Sequence, residues 1–201
     1  MGFNDSNKVA FVHIPKSAGS SVRKALGKWE HAGIHLTASE LSGLDKSRWE
    51  RYLTIAIVRN PWDRMVSMYH YSRFNNSYKF EHKAFRVCFE EWLIDLYCNH
   101  LFDGEIVHKK NWVQYFAHDQ LQWIENNQGN IIVDKVIRYE NLEEEWFKLF
   151  GTVLPVVNKT EHQDYRLYYN DHLNLLISKA FSRDIEKFNY RLDNGKESIT
   201  R

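Results

Sequence analysis

Apolar residues follow two rhythms along this chain. Val9 to Ile14 and Leu53 to Val58 are short, nearly unbroken apolar runs, the pattern of strands covered on both faces. Each is stopped by a proline, which has no N–H for the ladder: Pro15 after the first run, and Pro61 in Arg59-Asn60-Pro61 after the second. Behind each stop the period changes to 3.6. Val22, Ala25, Leu26 and Trp29 share a stripe that predicts a helix over residues 21–29, with Ser20 or Ser21 capping its first N–H groups. Trp62, Met65, Val66 and Tyr69 fall at i, i+3, i+4 and i+7, so a helix with Asn60 as N-cap and Pro61 first in the turn buries that stripe and turns Asp63, Ser67 and His70 elsewhere.

The rest of the chain is read in the same way. Residues 30–51 form a polar connector holding His31 and His35, in which Thr37 or Ser39 starts a short helix. From about 82 to 124 the pattern is helical: Phe85, Cys88, Phe89, Trp92 and Leu96 form one stripe, and Trp112, Val113 and Phe116 begin another. A turn over 126–130 with Gly129 leads to a third strand candidate, 131–139. Asn141 with Glu144 resembles a capping box for a helix carrying Leu142, Trp146, Leu149 and Phe150 and ending at Gly151. After a loop over 152–171, Leu173, Leu176, Ile177, Ala180, Phe181, Ile185 and Phe188 predict one helix of more than four turns. Successive strand-turn-helix units imply an α/β fold with a central parallel β-sheet flanked by helices, in a single domain over 1–201. In such a sheet ligands collect at the carboxyl ends of the strands, so both turns, at 15–21 and at 59–61, are expected on one edge.

The first of these turns carries anion chemistry. Small residues at a strand-to-helix turn leave backbone N–H groups and the positive end of the helix dipole facing outward, and Lys16 adds a full charge. The order differs from the Walker A loop, whose lysine follows its last glycine and precedes Ser/Thr; here Lys16 precedes the single Gly19. At the second turn, the fork of Arg59 suits a pair of phosphate oxygens and the Ser67 hydroxyl adds a directed donor.

Composition narrows the class. A formal net charge of +1 over 201 residues argues against a strongly basic nucleic-acid binder, and aromatics at 15% favour a packed globule over a disordered chain. The two cysteines, Cys88 and Cys98, lie in a helical period where core filling is expected rather than a bridge, which fits a reducing compartment. No apolar run approaches the roughly 20 residues of a membrane span, and the polar start is no secretory signal, so a soluble, cytoplasmic protein is expected. Ten histidines invite a metal, yet none has zinc-type spacing, and His31 with His35 at i, i+4 lacks the intervening glutamate; no metal is expected.

Taken together, the two turns resemble the sulfotransferases that use 3′-phosphoadenosine 5′-phosphosulfate (PAPS). Pro15-Lys-Ser-Ala-Gly-Ser-Ser21 looks like their 5′-phosphosulfate loop, and Arg59-Asn-Pro-Trp-Asp-Arg-Met-Val-Ser-Met-Tyr69 like their 3′-phosphate motif. Asp134-Lys-Val-Ile-Arg-Tyr-Glu-Asn-Leu142, the loop Asn158-Lys-Thr160, the ending Arg183-Asp-Ile-Glu-Lys-Phe-Asn-Tyr190 and the spacing of His35-Leu-Thr-Ala-Ser-Glu40 look like the carbohydrate (Golgi-type) branch, so the likeness covers most of the chain. The late Arg-Lys-Gly tripeptide of the phenol and steroid branch does not occur here, which weakens a small-phenol acceptor. Animal carbohydrate members are Golgi-anchored and often disulfide-bonded; this chain shows neither feature, so the Golgi lumen is expected only of a trimmed chain.

The resemblance implies a P-loop-NTPase-like sulfotransferase fold, PAPS as donor, adenosine 3′,5′-bisphosphate as product, and an acceptor hydroxyl on a carbohydrate. It implies donor contacts from Lys16, Ser17, Ala18, Gly19, Ser20 and Ser21, with Arg59 and Ser67 on the 3′-phosphate and a further contact from Lys159. Charge growing on the leaving 5′-phosphate oxygen is met by Lys16 and the N–H groups after it, an effect of the oxyanion-hole type. An imidazole best takes the acceptor proton near neutral pH; His35 is the candidate base and His70 the second, while His13, in the apolar run, reads as a core histidine. Two rivals are an ATP-dependent phosphoryl transferase, which should show a Walker A lysine followed by Ser/Thr, and a non-catalytic nucleotide-binding domain, which would keep Lys16 and Arg59 without a productive base.

Overall fold

The computed structural model describes residues 2–30, 35–74, 87–102, 117–157 and 162–193. Along the chain these form β1 (Phe3–Asn4), β2 (Val9–Val12), α1 (Gly19–Leu26), α2 (Ala38–Leu44), α3 (Lys46–Arg51), β3 (Leu53–Val58), α4 (Pro61–Phe74), α5 (Phe89–Cys98), α6 (Leu121–Ile124), β4 (Lys135–Arg138), α7 (Leu142–Phe150), α8 (Asp171–Ala180) and α9 (Ser182–Phe188). They divide into two compact units, one of residues 1–59 with 120–159, the other of residues 60–119 with 160–201.

The first unit is built on a sheet of order β1-β2-β3-β4, in which β2, β3 and β4 are parallel and β1 is antiparallel at the edge. Val9, Phe11, Ile55, Ile57 and Ile137 point to one face, where Val22 of α1 and Leu142 and Trp146 of α7 close the core over them. The other face carries Ala10, Val12, Ala56 and Val58, all fully buried, so the unbroken apolar runs have the physical cause expected of them. The register of β4 is pinned by side chains: Asp134 accepts from the N–H and hydroxyl of Thr54 at 2.8 and 2.7 Å, and the Thr54 hydroxyl accepts from the Asp134 N–H at 2.7 Å. Ile131 instead pairs antiparallel with Glu125 and the Ile132 N–H donates to the Ile124 carbonyl at 3.0 Å, so β4 covers Lys135–Arg138 rather than the expected 131–139. The turn at 126–130 forms as expected, with the Asn126 N–H donating to the Asn130 carbonyl at 2.9 Å and Gly129 at φ 76°.

Several local expectations are corrected. The helix expected over 21–29 begins at Gly19 and stops at Gly27, whose φ of 81° ends it; Trp29 reaches the core from beyond the helix, against Phe11. Thr37 does cap α2, with a full capping box through Glu40, but the connector also holds α3, capped by Asp45. Asn141 makes no cap. A 3-10 turn over Tyr139–Asn141 runs directly into α7 and leaves Asn141 at φ −111°, ψ 14°, away from the extended backbone a capping side chain needs.

In the second unit, α4 begins as read, with Asn60 Oδ1 accepting from the Trp62 N–H at 3.0 Å. It is not amphipathic, however. Beyond the stripe of Trp62, Met65, Val66 and Tyr69, the side chains of Arg64, Ser67 and Met68 are also buried, and Arg64 Nη1 donates to the His118 carbonyl at 2.9 Å. The single last helix is two, α8 and α9, turned at Phe181 (φ −115°, ψ 29°); its ring is buried, and apolar spacing does not register one non-helical residue. Cys88 and Cys98 are free thiols, and both are exposed rather than core-filling, because α5 turns Phe89, Trp92, Leu93 and Leu96 inward instead. Phe85, Trp112, Val113, Phe116 and His31 lie outside the described residues. No helix among the described residues is long and apolar enough to cross a membrane.

Candidate active site

The chain leaving β2 does not turn by glycine alone. Lys16 and Ala18 both stand at positive φ, 67° and 57°, which costs a residue with a Cβ about 1–3 kcal/mol each, and such strain persists where the surroundings hold it for use. Alternation of this kind curls the backbone into a nest of N–H groups. Within it the Ser17 N–H donates to the Ile14 carbonyl at 3.3 Å, and those of Ser21 and Val22 return to the Ala18 carbonyl at 2.9 and 3.2 Å. The N–H groups of Ala18 and Gly19 have no acceptor among the described residues, and they sit at the start of α1, where the helix dipole favours negative charge. Neither Ser20 nor Ser21 caps α1: its N-cap is Ala18 and no side chain bonds there, because the left-handed Ala18 starts the helix before the serines are reached. Ser21 Oγ instead accepts from the Val157 N–H at 3.3 Å, and Ser17 is fully buried with its Oγ unpartnered.

Parallel pairing of β2, β3 and β4 brings the ends of these strands to one edge. Arg59, directly after β3, donates from Nη1 to the Lys16 carbonyl at 3.1 Å and lies over the ring of Tyr139, the residue after β4, with 4.2 Å from Cζ to the ring centre. Its backbone is clamped by one buried amide: Gln120 Oε1 accepts from the Arg59 N–H at 2.7 Å, and Gln120 Nε2 donates to the Arg59 carbonyl at 2.8 Å. Burial, with the charge of Arg59 as a second cause, lowers the Lys16 pKa from its ordinary value to about 7. A bound anion would reverse that shift, since it rewards the charged ammonium.

His35 stands at the same strand ends. Its Nδ1 is 3.0 Å from the His13 carbonyl, which can only accept, so Nδ1 carries the proton and the neutral ring has its lone pair on Nε2. The ring lies 4.2 Å from that of His13 and meets Trp123 edge-on at 6.3 Å. His13 follows the strand rather than lying within it, stacks on Phe11, and is held well below the ordinary histidine pKa by burial and then by the neighbouring His35.

The remaining named residues belong to the second unit or fall outside the described residues. Ser67 is buried on α4 of the second unit. His70, on the same helix, is 2.8 Å from the Tyr168 hydroxyl through Nε2, stacks on His162 at 5.1 Å, and is lowered to a pKa of about 4, first by burial and then by His162. Lys159 lies outside the described residues. Gln120 and Tyr139 were not anticipated as neighbours of Arg59; each is far from it in sequence, and only the end of β4 as a parallel strand hinted at Tyr139.

A backbone nest, a lysine balanced between charged and neutral, and an arginine at the carboxyl edge of a parallel sheet together offer the donors and charge that a phosphate or sulfate group needs. The Sulfotransferase domain family matches residues 7–171, a stretch that includes the nest, His35 and Arg59. The chain therefore belongs to the sulfotransferase-domain family. No curated protein sequence matches it. Among solved structures it is similar to mouse sulfotransferase SULT7A1 complexed with PAP, with 20% identity, a TM-score of 0.45, and coverage of 98% of this chain and 72% of that one.

Proposed function

We propose that this chain moves the sulfuryl group of PAPS to a saccharide hydroxyl, with His35 as base and Lys16 stabilising the leaving 5′-phosphate. The observation that carries this reading is the convergence of the Ala18–Gly19 N–H groups, Lys16 and Arg59 on one sheet edge, with an imidazole 3.0 Å from the His13 carbonyl beside them. In the reaction the acceptor oxygen bonds to sulfur as the bond from sulfur to the 5′-phosphate oxygen breaks. The acceptor proton passes to Nε2 of His35, and the new charge falls on the phosphate facing Lys16 and the nest. Ser17, Ser20 and Ser21 belong to the same donor loop by its motif. Arg59 takes the 3′-phosphate; Ser67 and Lys159 are assigned to the donor by their motifs alone. His35 is favoured over His70, because a histidine lowered to about 4 is a weak base at neutral pH. The saccharide acceptor rests on the motif that follows His35 and on the missing Arg-Lys-Gly tripeptide.

Adenosine 3′,5′-bisphosphate is expected to raise the melting temperature, since a ligand bound by the native state alone shifts unfolding by mass action. A thermal-shift series with this nucleotide, ATP and AMP tests the donor. Stabilisation by ATP equal to or greater than that by the bisphosphate would remove PAPS from the reading. Arg59→Ala and Ser67→Ala are each expected to weaken the bisphosphate by about 1.5–3 kcal/mol while changing affinity for 5′-AMP much less, because a charge-assisted contact to the 3′-phosphate is lost. Equal losses for both nucleotides in calorimetry would mean that Arg59 only braces Tyr139 and the Lys16 carbonyl.

A further inference from the structure

We infer that His13 is a positioning residue, a flat wedge that sets the donor loop against the proposed base; the inference rests on His35 acting as that base. Two independent contacts place it so. Toward the loop, a methyl group on Gly19 would coincide with the His13 imidazole, so the ring occupies the space that any side chain at Gly19 would fill. Toward the base, His13 holds His35 twice, through its backbone carbonyl, which accepts from Nδ1 at 3.0 Å, and through its ring face, 4.2 Å from that of His35. Phe11 stacks behind His13 at 5.9 Å and keeps the ring from withdrawing along the strand end.

The glycine in this loop therefore has a cause besides close approach of an anion: Gly19 has no side chain because His13 stands there. One flat ring spans the distance between the first residue of α1 and the base, so displacement on either side is passed to the other through hard contact. Burial keeps that ring neutral, which allows it to lie against His35 without repelling an imidazolium formed when His35 takes a proton. A histidine fits the role by its shape: it is planar, smaller than phenylalanine, and tied to the strand end by its own backbone.

The test combines Gly19→Ala, His13→Ala and the double variant, with calorimetric binding of adenosine 3′,5′-bisphosphate and the rate of PAPS hydrolysis to bisphosphate and sulfate as readouts. Gly19→Ala is expected to weaken bisphosphate binding about tenfold, because the displaced imidazole pushes on the loop, and the double variant to recover to within about threefold of His13→Ala. His13→Ala alone is expected to bind the bisphosphate nearly as the unaltered protein does and to hydrolyse PAPS ~10–100-fold more slowly, as a base moved by an ångström would. Nitrogen-15 spectra of the histidines read the same placement without depending on rate or affinity. His35 in the unaltered protein should be a single Nδ1–H tautomer, and the two tautomers should mix in His13→Ala.

Equal damage by Gly19→Ala in both backgrounds, full hydrolysis in His13→Ala, or an Nε2–H tautomer at His35 in the unaltered protein would each overturn the inference. A variant that fails to fold leaves the tautomer to decide it. Failure of the base reading is separable: hydrolysis undiminished in His35→Ala would remove His35 as base, while the Gly19–His13 rescue in bisphosphate binding would still report the wedge.

Discussion

Replacing His35 by alanine is expected to slow sulfuryl transfer by ~10²–10⁴ and to leave affinity for adenosine 3′,5′-bisphosphate nearly intact, because a general base acts on the acceptor proton and not on the donor. The competing account is that His35 only anchors its connector through the bond to the His13 carbonyl. His35→Asn separates the two, since its amide nitrogen can donate to that carbonyl but its side chain cannot take a proton at neutral pH. Under the base reading His35→Asn is as slow as His35→Ala, and added imidazole restores part of the rate to the alanine variant. The measurement is transfer to a panel of oligosaccharides, with PAPS hydrolysis as the acceptor-independent rate. Near-native rates in His35→Asn would reduce the residue to an anchor, and His70 would be changed next.

Lys16→Met is expected to cost roughly 10²–10³ in transfer rate, the size seen when one preorganised donor to a developing oxyanion is removed. The pH dependence of binding gives a second, sharper signature. With a pKa of about 7 in the free protein, Lys16 is largely neutral above that pH, and a 5′-phosphate beside it raises the pKa again. Between the free and bound values the complex holds more protons than the free protein. Binding at pH 8 should therefore take up protons, visible as calorimetric heats that vary with the ionisation enthalpy of the buffer, and affinity should fall as pH rises above 7. In the unliganded protein the sign is the opposite. The folded pKa lies below the unfolded value of about 10.5, so from pH 7 to about 10.5 the unfolded chain binds more protons and stability contributed by this group rises with pH. Lys16→Met should abolish both effects. Heats independent of buffer at pH 8 in the unaltered protein would mean that Lys16 does not face the phosphate.

The chain by itself determined what depends on near neighbours in sequence. Apolar runs bounded by prolines located β2 and β3, with Leu53–Val58 matching β3 end to end, because a strand buried on both faces is apolar at nearly every position. Asn60-Pro61 located the start of α4, and Pro15-Lys-Ser-Ala-Gly-Ser-Ser21 the tight turn between β2 and α1, since caps and turns are chemistry of three or four adjacent residues. Where neighbours compete, the same local reading went astray. Asn141 has the right residue three positions later, but a preceding 3-10 turn denies it the backbone angle of a cap; Ser20 and Ser21 lost the capping place to a left-handed Ala18.

Only the tertiary structure decided which distant residues meet. Gln120 clamps Arg59 across 61 positions, Tyr139 stacks under it, and Arg59 reaches the Lys16 carbonyl, because parallel pairing brings the ends of three strands to one edge irrespective of the chain between them. The lowered pKa of Lys16 has the same origin: burial and the nearby Arg59 are properties of that edge, and no stretch of sequence around Lys16 carries them. His13 shows the limit most directly. Its position at the end of an apolar run made it a core histidine; it is only half-buried, and its ring lies between Gly19 and His35, a placement set by where the loop and the connector return in space.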